Sequence, residues 1–305
     1  MKRLPHVLTL FLDGVGIGAQ DPEKNPYFAT QLNVLTNLVG GKLPYIGSAR
    51  RGTRTMSLVP VNATLGVDGL PQSGTGQTSL MTGVNAARFI GKHFGPYPYS
   101  TLRPVIQDRN IFLRLHQAKR SVRYVNAFPK QFFDHVSATK TRMSAITMSW
   151  LMAGFELNDS NALLRGEGLS ADITSERWNK LGFPHVRTLT PQEAGKRFAK
   201  IGREHNFTLF EYYYTDHVGH SQSMPEAIKV LQTLDGFIEG VLSAFDYENM
   251  LFLIISDHGN LEDLSTKSHT RNQVPLVAVG AHHRTVTGAI KNLSQFTPVI
   301  LDLLK

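Results

Sequence analysis

Residues able to hold metal ions are unevenly placed along this 305-residue chain, in which six of the twelve histidines fall between His217 and His283. Asp13 closes an apolar run in Phe-Leu-Asp-Gly, and Asp216 follows a second run in Thr-Asp-His-Val-Gly-His, with His220 four residues on. Asp257-His258 follows a third in Ser-Asp-His-Gly-Asn, and His269 precedes a fourth in Ser-His-Thr-Arg-Asn. One Asp after a strand is ordinarily a turn or cap residue. Two such acids with histidines at short spacing are hard to explain as caps. Acids and imidazoles from several strand ends can converge on one point, because the carboxyl ends of parallel strands share an edge where ligands bind.

A hydroxyl-rich stretch runs from Gly69 through Ser73-Gly74-Thr75-Gly76-Gln77-Thr78-Ser79 to Gly83. It reads as a glycine-rich turn entering a helix of small residues. Its glycines permit close backbone approach, and a helix start offers N–H groups to an anion. The ordinary reading is a hydroxyl-capped helix; the functional one is a nucleophile. The loop Asp13-Gly14-Val15-Gly16-Ile17-Gly18 has glycines at G-x-G-x-G rather than G-x-G-x-x-G spacing, and its leading acid would repel a pyrophosphate. With no Walker lysine either, a nucleotide-cofactor enzyme is the weaker reading. His217 reads as a surface or supporting imidazole, and His282-His283 as solvated loop residues.

The elements that must position these groups alternate between β-rich runs and helical patterns, as in a parallel sheet covered on both faces. Strands are expected at Val7–Leu12, Ser121–Val125, Phe207–Tyr214, Met250–Ile255 and Val274–Val279. In the expected helix Pro225–Phe245, the residues Ile228, Leu231, Leu234, Ile238, Val241 and Phe245 form one apolar stripe, with Ser223 as N-cap. Pro191–His205 is a second helix, opened by a Thr190/Glu193 capping box. Ile111–Lys119 and Met143–Leu151 are weaker candidates. The fold expected is α/β, a three-layer sandwich with a mostly parallel central sheet covered by helices on both faces. It forms a single domain over 1–305, with 92–190 as a small elaboration.

Composition narrows the function. The chain is 41% apolar and 18% charged, as expected of a globular protein with a large core. It has no cysteine, which excludes disulfides, thiolate metal sites and cysteine nucleophiles and is compatible with the cytoplasm. No apolar run approaches the roughly 18 residues of a membrane span. The basic start Met1-Lys2-Arg3 and the run after it imitate a signal peptide, but the run breaks at Asp13 and reads better as a buried strand. The net charge of +8 is scattered, with Arg50-Arg51-Gly52-Thr53-Arg54 its densest cluster. A basic surface around a phosphate site explains it more simply than nucleic-acid binding. The sequence leaves the oligomeric state open.

Taken in order, Asp13, the hydroxyl segment, D-x-x-x-H, D-H-G-N and the final His resemble the alkaline phosphatase superfamily. Within it they are most similar to the phosphopentomutase and cofactor-independent phosphoglycerate mutase branch. The resemblance covers roughly 1–90 and 205–305, and the stretch Asp257–Leu276 looks especially like the phosphomutases. It implies Ser73 as nucleophile, with Thr75 and Thr78 as nearby alternatives. It also implies two metal ions, one on Asp216, His220 and His269, the other on Asp13, Ser73, Asp257 and His258. Carboxylate and imidazole donors without thiolate suit Mn²⁺ or Zn²⁺.

The activity so implied is two-metal phosphoryl transfer to and from Ser73, on a small phosphorylated substrate. The phosphomutases insert a cap after the nucleophile helix, and the interval from Gly83 to Asp216 leaves little room for one. Hydrolysis of a phosphate ester is therefore favoured over mutase transfer. A metal-binding pseudoenzyme is the alternative from another class, disfavoured because all the expected ligand positions carry competent residues. A sulfatase is disfavoured because Ser73-Gly74-Thr75-Gly76-Gln77 lacks the Pro/Ala and Arg of the formylglycine motif. Lys92, Arg142 and Arg271 are candidate anion contacts, although a surface arginine or lysine is the commoner explanation for each.

Overall fold

The run beginning at Val7 forms a buried strand in the computed structural model, which describes residues 4–139 and 142–305; the charged start Met1-Lys2-Arg3 lies outside the described residues. The strands in chain order are β1 (His6–Leu12), β2 (Arg51–Gly52), β3 (Met56–Val61), β4 (Val122–Tyr124), β5 (Asn126–Ala127), β6 (Leu169–Ser170), β7 (Phe207–Tyr212), β8 (Met250–Ser256) and β9 (Val274–Gly280). Alternation along the central strands sets the layers. Leu8, Leu10, Phe252 and Ile254 pack into the core on one face of the sheet, and Val7, Phe11, Leu251 and Leu253 into the core on the other. Strands apolar on both faces need cover on both. Each such fully buried side chain contributes about 1.5–3 kcal/mol.

That cover is helical. Helices Pro191–Arg203 and Met224–Ser243 lie on the first face, bringing Phe198, Leu231, Leu234 and Phe237 to the core. Helices Ser73–Thr82, Ile111–Gln117, Ala145–Met152 and Phe296–Leu303 cover the second, through Leu80, Phe112, Ile146, Trp150 and Ile300. The helix at Pro191 starts where its capping box requires: Glu193 N–H donates to Thr190 Oγ1 at 3.1 Å and Thr190 N–H to Glu193 Oε2 at 2.8 Å. Such a cap contributes about 1 kcal/mol.

The seven-stranded sheet has the order β2-β3-β9-β8-β1-β7-β4. Strands β8, β1, β7 and β4 are mutually parallel, whereas β9 runs antiparallel between β8 and β3 and β2 is an antiparallel edge. The sheet is thus mixed, although most strands share one direction. The reversal of β9 matters for the site, because the start of an antiparallel strand lies at the edge where its neighbours end. A separate pair, β5 and β6, joins helices Ser160–Arg165 and Glu176–Lys180 in a small subassembly with its own apolar cluster around Leu163, Trp178 and Val186, while helix Lys130–Thr139 packs Phe132 and Val136 against Ile106, Met143 and Met148.

Several expected boundaries move. The strand expected at Phe207–Tyr214 ends at Tyr212, and helix Tyr214–Ser221 begins almost at once, so Asp216 and His220 sit one turn apart on a helix. The strand expected at Ser121–Val125 narrows to Val122–Tyr124. β3 was not among the expected strands; Ser57 and Pro60 interrupt its apolar pattern, and β9 covers it in antiparallel register. His283 is not a solvated loop residue. It is buried, within hydrogen-bond distance of Ser57 Oγ (2.8 Å) and the Arg54 carbonyl (3.2 Å), and opens helix His283–Ala289. Among the described residues, no helix is long and apolar enough to cross a membrane.

Candidate metal centre

All the candidate ligands reach one edge of the sheet, each by its own route. Asp13 follows β1 directly, and Asp257-His258 follows β8. Asp216 lies in the first turn of the helix after β7, and His269 in the loop entering β9. Ser73 is the first residue of helix Ser73–Thr82, at the positive end of its dipole. Close approach explains two glycines. Gly14 adopts φ +67°, and a Cβ there would lie 2.5 Å from Asp216 Oδ1; a Cβ on Gly76 would lie 2.9 Å from that of Asp257.

His258 Nε2 is the hub. It stands 2.9 Å from Ser73 Oγ, 3.3 Å from Asp13 Oδ1 and 3.5 Å from Asp257 Oδ2. The second set adjoins it. His220 Nε2 is 3.3 Å from Asp216 Oδ2 and 3.2 Å from His269 Nε2, which is 3.6 Å from Asp216 Oδ1. The His258 and His269 rings stack with centroids 3.8 Å apart. The donor atoms of Asp13, Asp257 and His258 lie within 4.8 Å of one another, as do those of Asp216, His258 and His269.

The electrostatics are those of a site built around cations. Among the described residues, Asp13 Oδ1 and Asp257 Oδ2 are buried atoms that accept no hydrogen bond. Burial pushes the Asp13 and Asp257 carboxyls up, and each acid's neighbours of like charge add to it. Burial opposes a charge on His258 too, but Asp257 and Asp13 outweigh it and push that imidazole up to about 10. Burial and the His258 charge push His269 down to about 4. Burial would also raise Asp216, yet His220, His258 and Asn260 hold it below the usual carboxylate range. Crowded acids with unpartnered buried oxygens and imidazole nitrogens converging on the same point fit divalent cations. With oxygen and nitrogen donors and no sulfur, the set suits borderline metals.

Supporting groups fix these ligands. His269 Nδ1 donates to the Pro71 carbonyl and His220 Nδ1 to that of Lys267, both at 2.8 Å, which leaves each Nε2 with a lone pair toward the site. Asn260 Nδ2 donates to Asp216 Oδ1 at 2.6 Å, and Gln77 Nε2 to Asp13 Oδ2 at 3.3 Å. Buried Glu262 accepts from Gly16 N–H and Asn260 N–H, each at 2.8 Å, from Asn272 Nδ2 at 3.0 Å and from Thr270 Oγ1. One carboxylate thereby ties together the loops after β1 and β8 and the one entering β9.

Of the hydroxyls in the helix-start segment, Ser73 faces the acids. Thr75 Oγ1 donates to the Gln72 carbonyl and Thr78 Oγ1 to that of Gly74, and both threonines are fully buried. His217 is exposed. Lys92 lies over the Phe94 and Tyr99 rings, and Arg271 stands 3.9 Å from Asp68. Arg142 lines a cleft of about 540 Å³ that has Asp13, Ser73, Gln77 and Asp216 at its base. Sequence reasoning missed Glu211 in the same cleft. Burial pushes this carboxyl up to about 7, with the Asp13 charge adding to it, while hydrogen bonds from Tyr124 Oη (2.5 Å) and Ser144 Oγ (3.2 Å) oppose the shift. A lone acid in the apolar strand Phe-Thr-Leu-Phe-Glu-Tyr was the available signal.

Similarity to known proteins agrees with this geometry. A 2,3-bisphosphoglycerate-independent phosphoglycerate mutase of Flavobacterium psychrophilum is 32% identical over 107 residues, 33% of this chain, and the match spans only 21% of that relative's length. The PH0037 protein of Pyrococcus horikoshii superposes with a TM-score of 0.61 at 13% identity, over 100% of this chain and 98% of that one. The alkaline phosphatase of the Antarctic bacterium TAB5 does so with a TM-score of 0.54 at 12% identity, over 99% of each chain. At such identities these two show a shared fold. Over residues 5–305 the sequence matches the metalloenzyme superfamily, and the chain belongs to that alkaline-phosphatase-like superfamily.

Proposed function

We propose that this chain is a two-metal phosphohydrolase that cleaves phosphate esters of small anionic molecules through a phosphoserine at Ser73. The observation that carries the reading is the position of Ser73 Oγ. It is the first residue of its helix, 2.9 Å from His258 Nε2 at the base of an open cleft, near one oxygen each of Asp13 and Asp257 that accepts no hydrogen bond. Asp13, Ser73, Asp257 and His258 would hold one Mn²⁺ or Zn²⁺ ion, and Asp216, His220 and His269 the other. When bound, two such ions supply Lewis-acid stabilisation of the attacking and leaving oxygens and lower the pKa of the serine hydroxyl.

The chain's own part is positional. Ser73 Oγ attacks phosphorus, the bond from phosphorus to the ester oxygen breaks, and the alcohol leaves; water then cleaves the Oγ–P bond and releases inorganic phosphate. The positive end of the Ser73 helix favours the phosphoryl charge. Gln77 fixes Asp13, Asn260 fixes Asp216, and two backbone carbonyls fix His269 and His220. We read residues 1–305 as one domain, with 92–190 as a small elaboration that leaves the cleft accessible to water. A cytoplasmic phosphorylated metabolite suits such a site.

A second reading, phosphomutase, is favoured by the similarity to a phosphoglycerate mutase. Incubating the Mn²⁺- or Zn²⁺-loaded protein with ribose 1-phosphate and other monoesters, and following both phosphate and isomer, separates the two. Phosphate release from several monoesters supports hydrolysis. Isomer formation without phosphate release selects the mutase.

A further inference from the structure

We propose that the cleft selects phosphomonoesters whose leaving group carries a flat aromatic or heteroaromatic ring, an inference that rests on the phosphohydrolase reading above. The cleft has two chemically different parts. Its base is polar, with Ser73, Gln77, Ser144 and Glu211, whereas Phe128, Phe132, Trp178, Tyr213 and Tyr214 line its walls. Phe128 and Phe132 are half-buried and stacked on each other, with centroids 4.3 Å apart and 29° between planes. Tyr213 and Tyr214 are stacked at 5.1 Å and 17°, and Tyr213 is 43% exposed. The Arg177 guanidinium lies 5.5 Å from the centroid of the Tyr214 ring and donates to its hydroxyl, so a planar cation belongs to the same wall.

The volume of about 540 Å³ greatly exceeds what a phosphoryl group fills and lies in the range of about 300–1,000 Å³ of pockets that take whole small molecules. What fills the remainder must suit these walls. A bare sugar or glyceryl group would bring hydroxyls against aromatic carbon, losing hydration without regaining hydrogen bonds. A flat ring presents a π face to the tyrosines and phenylalanines, and guanidinium donors can meet acceptors on its rim. Asp172, also in the wall, is occupied by the backbone N–H groups of Ser175 and Arg177, both at 2.9 Å.

Adenosine 5′-monophosphate and ribose 5-phosphate test this, because both are esters of the same primary oxygen and differ at C1, where the nucleotide carries adenine in place of a hydroxyl. Binding to the metal-loaded Ser73→Ala protein is measured by isothermal titration calorimetry. The nucleotide should bind about tenfold or more tighter, the scale of base stacking on aromatic side chains. In the active protein, kcat/KM for phosphate release should show the same preference. Phe132→Ala and the exposed Arg177→Gln should each shrink the ratio of the two kcat/KM values; if Phe132→Ala does not fold, Arg177→Gln carries the comparison. Equal or tighter binding of ribose 5-phosphate would overturn the proposal whatever the turnover. Preferred nucleotide binding with no phosphate released from any ester would instead sink the hydrolase reading and uphold the ring preference.

Discussion

Ser73 Oγ and His258 Nε2 meet at 2.9 Å although 185 positions separate them in the chain. The contact joins the start of a helix covering one face of the sheet to the end of central strand β8, and the small backbone of Gly76 against Asp257 lets the two elements approach so closely. In the proposed reaction this is the hydroxyl that attacks phosphorus in the cleft.

Replacing that hydroxyl should therefore separate chemistry from assembly. Ser73→Ala should lower kcat for phosphate release by about a thousandfold or more, since no other group replaces a covalent nucleophile. The other ligand residues remain, so most bound metal should persist. Thr75→Ala and Thr78→Ala, which remove hydroxyls bonded to backbone carbonyls, should lower stability modestly and leave turnover within about tenfold. A Thr75→Ala protein as inactive as expected for Ser73→Ala would move the nucleophile.

The ligand division has its own measurement. Asp257→Asn or His258→Ala should cost one equivalent of bound metal, and Asp216→Asn or His269→Ala the other. His220 is partly exposed, its side chain at 45%, and His220→Ala should weaken the same ion as Asp216→Asn by a smaller factor. Elemental analysis of purified, dialysed variants reads this directly. Full metal content in either set refutes that half of the division.

The candidate ligands were legible in the sequence because each acid stands at or just after a strand end, and because the D-x-x-x-H spacing puts Asp216 and His220 on successive turns of a helix. His269 was placed beside Asp216 and His220 by the resemblance alone, since no local pattern makes it their neighbour. In an all-parallel sheet the start of β9 would lie at the far edge, about 20 Å away. Only the antiparallel pairing of β9 with β8 brings it back, and that pairing is a long-range property no local pattern records. Gln77, Asn260 and Glu262 were hidden for a different reason. Each acts by bonding to a partner distant in sequence or to another loop, so its type alone reads as ordinary polarity.

Glu262 makes that hidden layer testable. Glu262→Gln keeps the shape but replaces one acceptor oxygen with a donor facing N–H and hydroxyl groups. Metal affinity should fall by about tenfold to a hundredfold, the usual effect of losing a group that orients ligands. Isothermal titration of the stripped protein measures this, and Asn260→Ala should fall in the same range. Unchanged affinity in Glu262→Gln would reduce that residue to a loop tie with no bearing on the ligands.

Glu211 supplies a pH signature that the metal-free protein should show. Its carboxyl is pushed from the ordinary 4.5 up to about 7, chiefly by burial, so between those values the folded state holds a proton that the unfolded state has released. Stability from this group is therefore fully present below about pH 4.5 and is lost as pH rises through 7, by about 3 kcal/mol in all. Glu211→Gln cannot ionise and keeps an amide where the protonated acid stood, beside Tyr124 and Ser144. The variant should be close to the wild type in stability at pH 4.5, then exceed it increasingly up to pH 8. Melting temperatures measured in a chelator across that range should diverge by several degrees. A difference that stays flat, or that favours the wild type more at pH 8 than at pH 4.5, would show that Glu211 is ionised in the folded protein and that Tyr124 and Ser144 hold a carboxylate in the cleft.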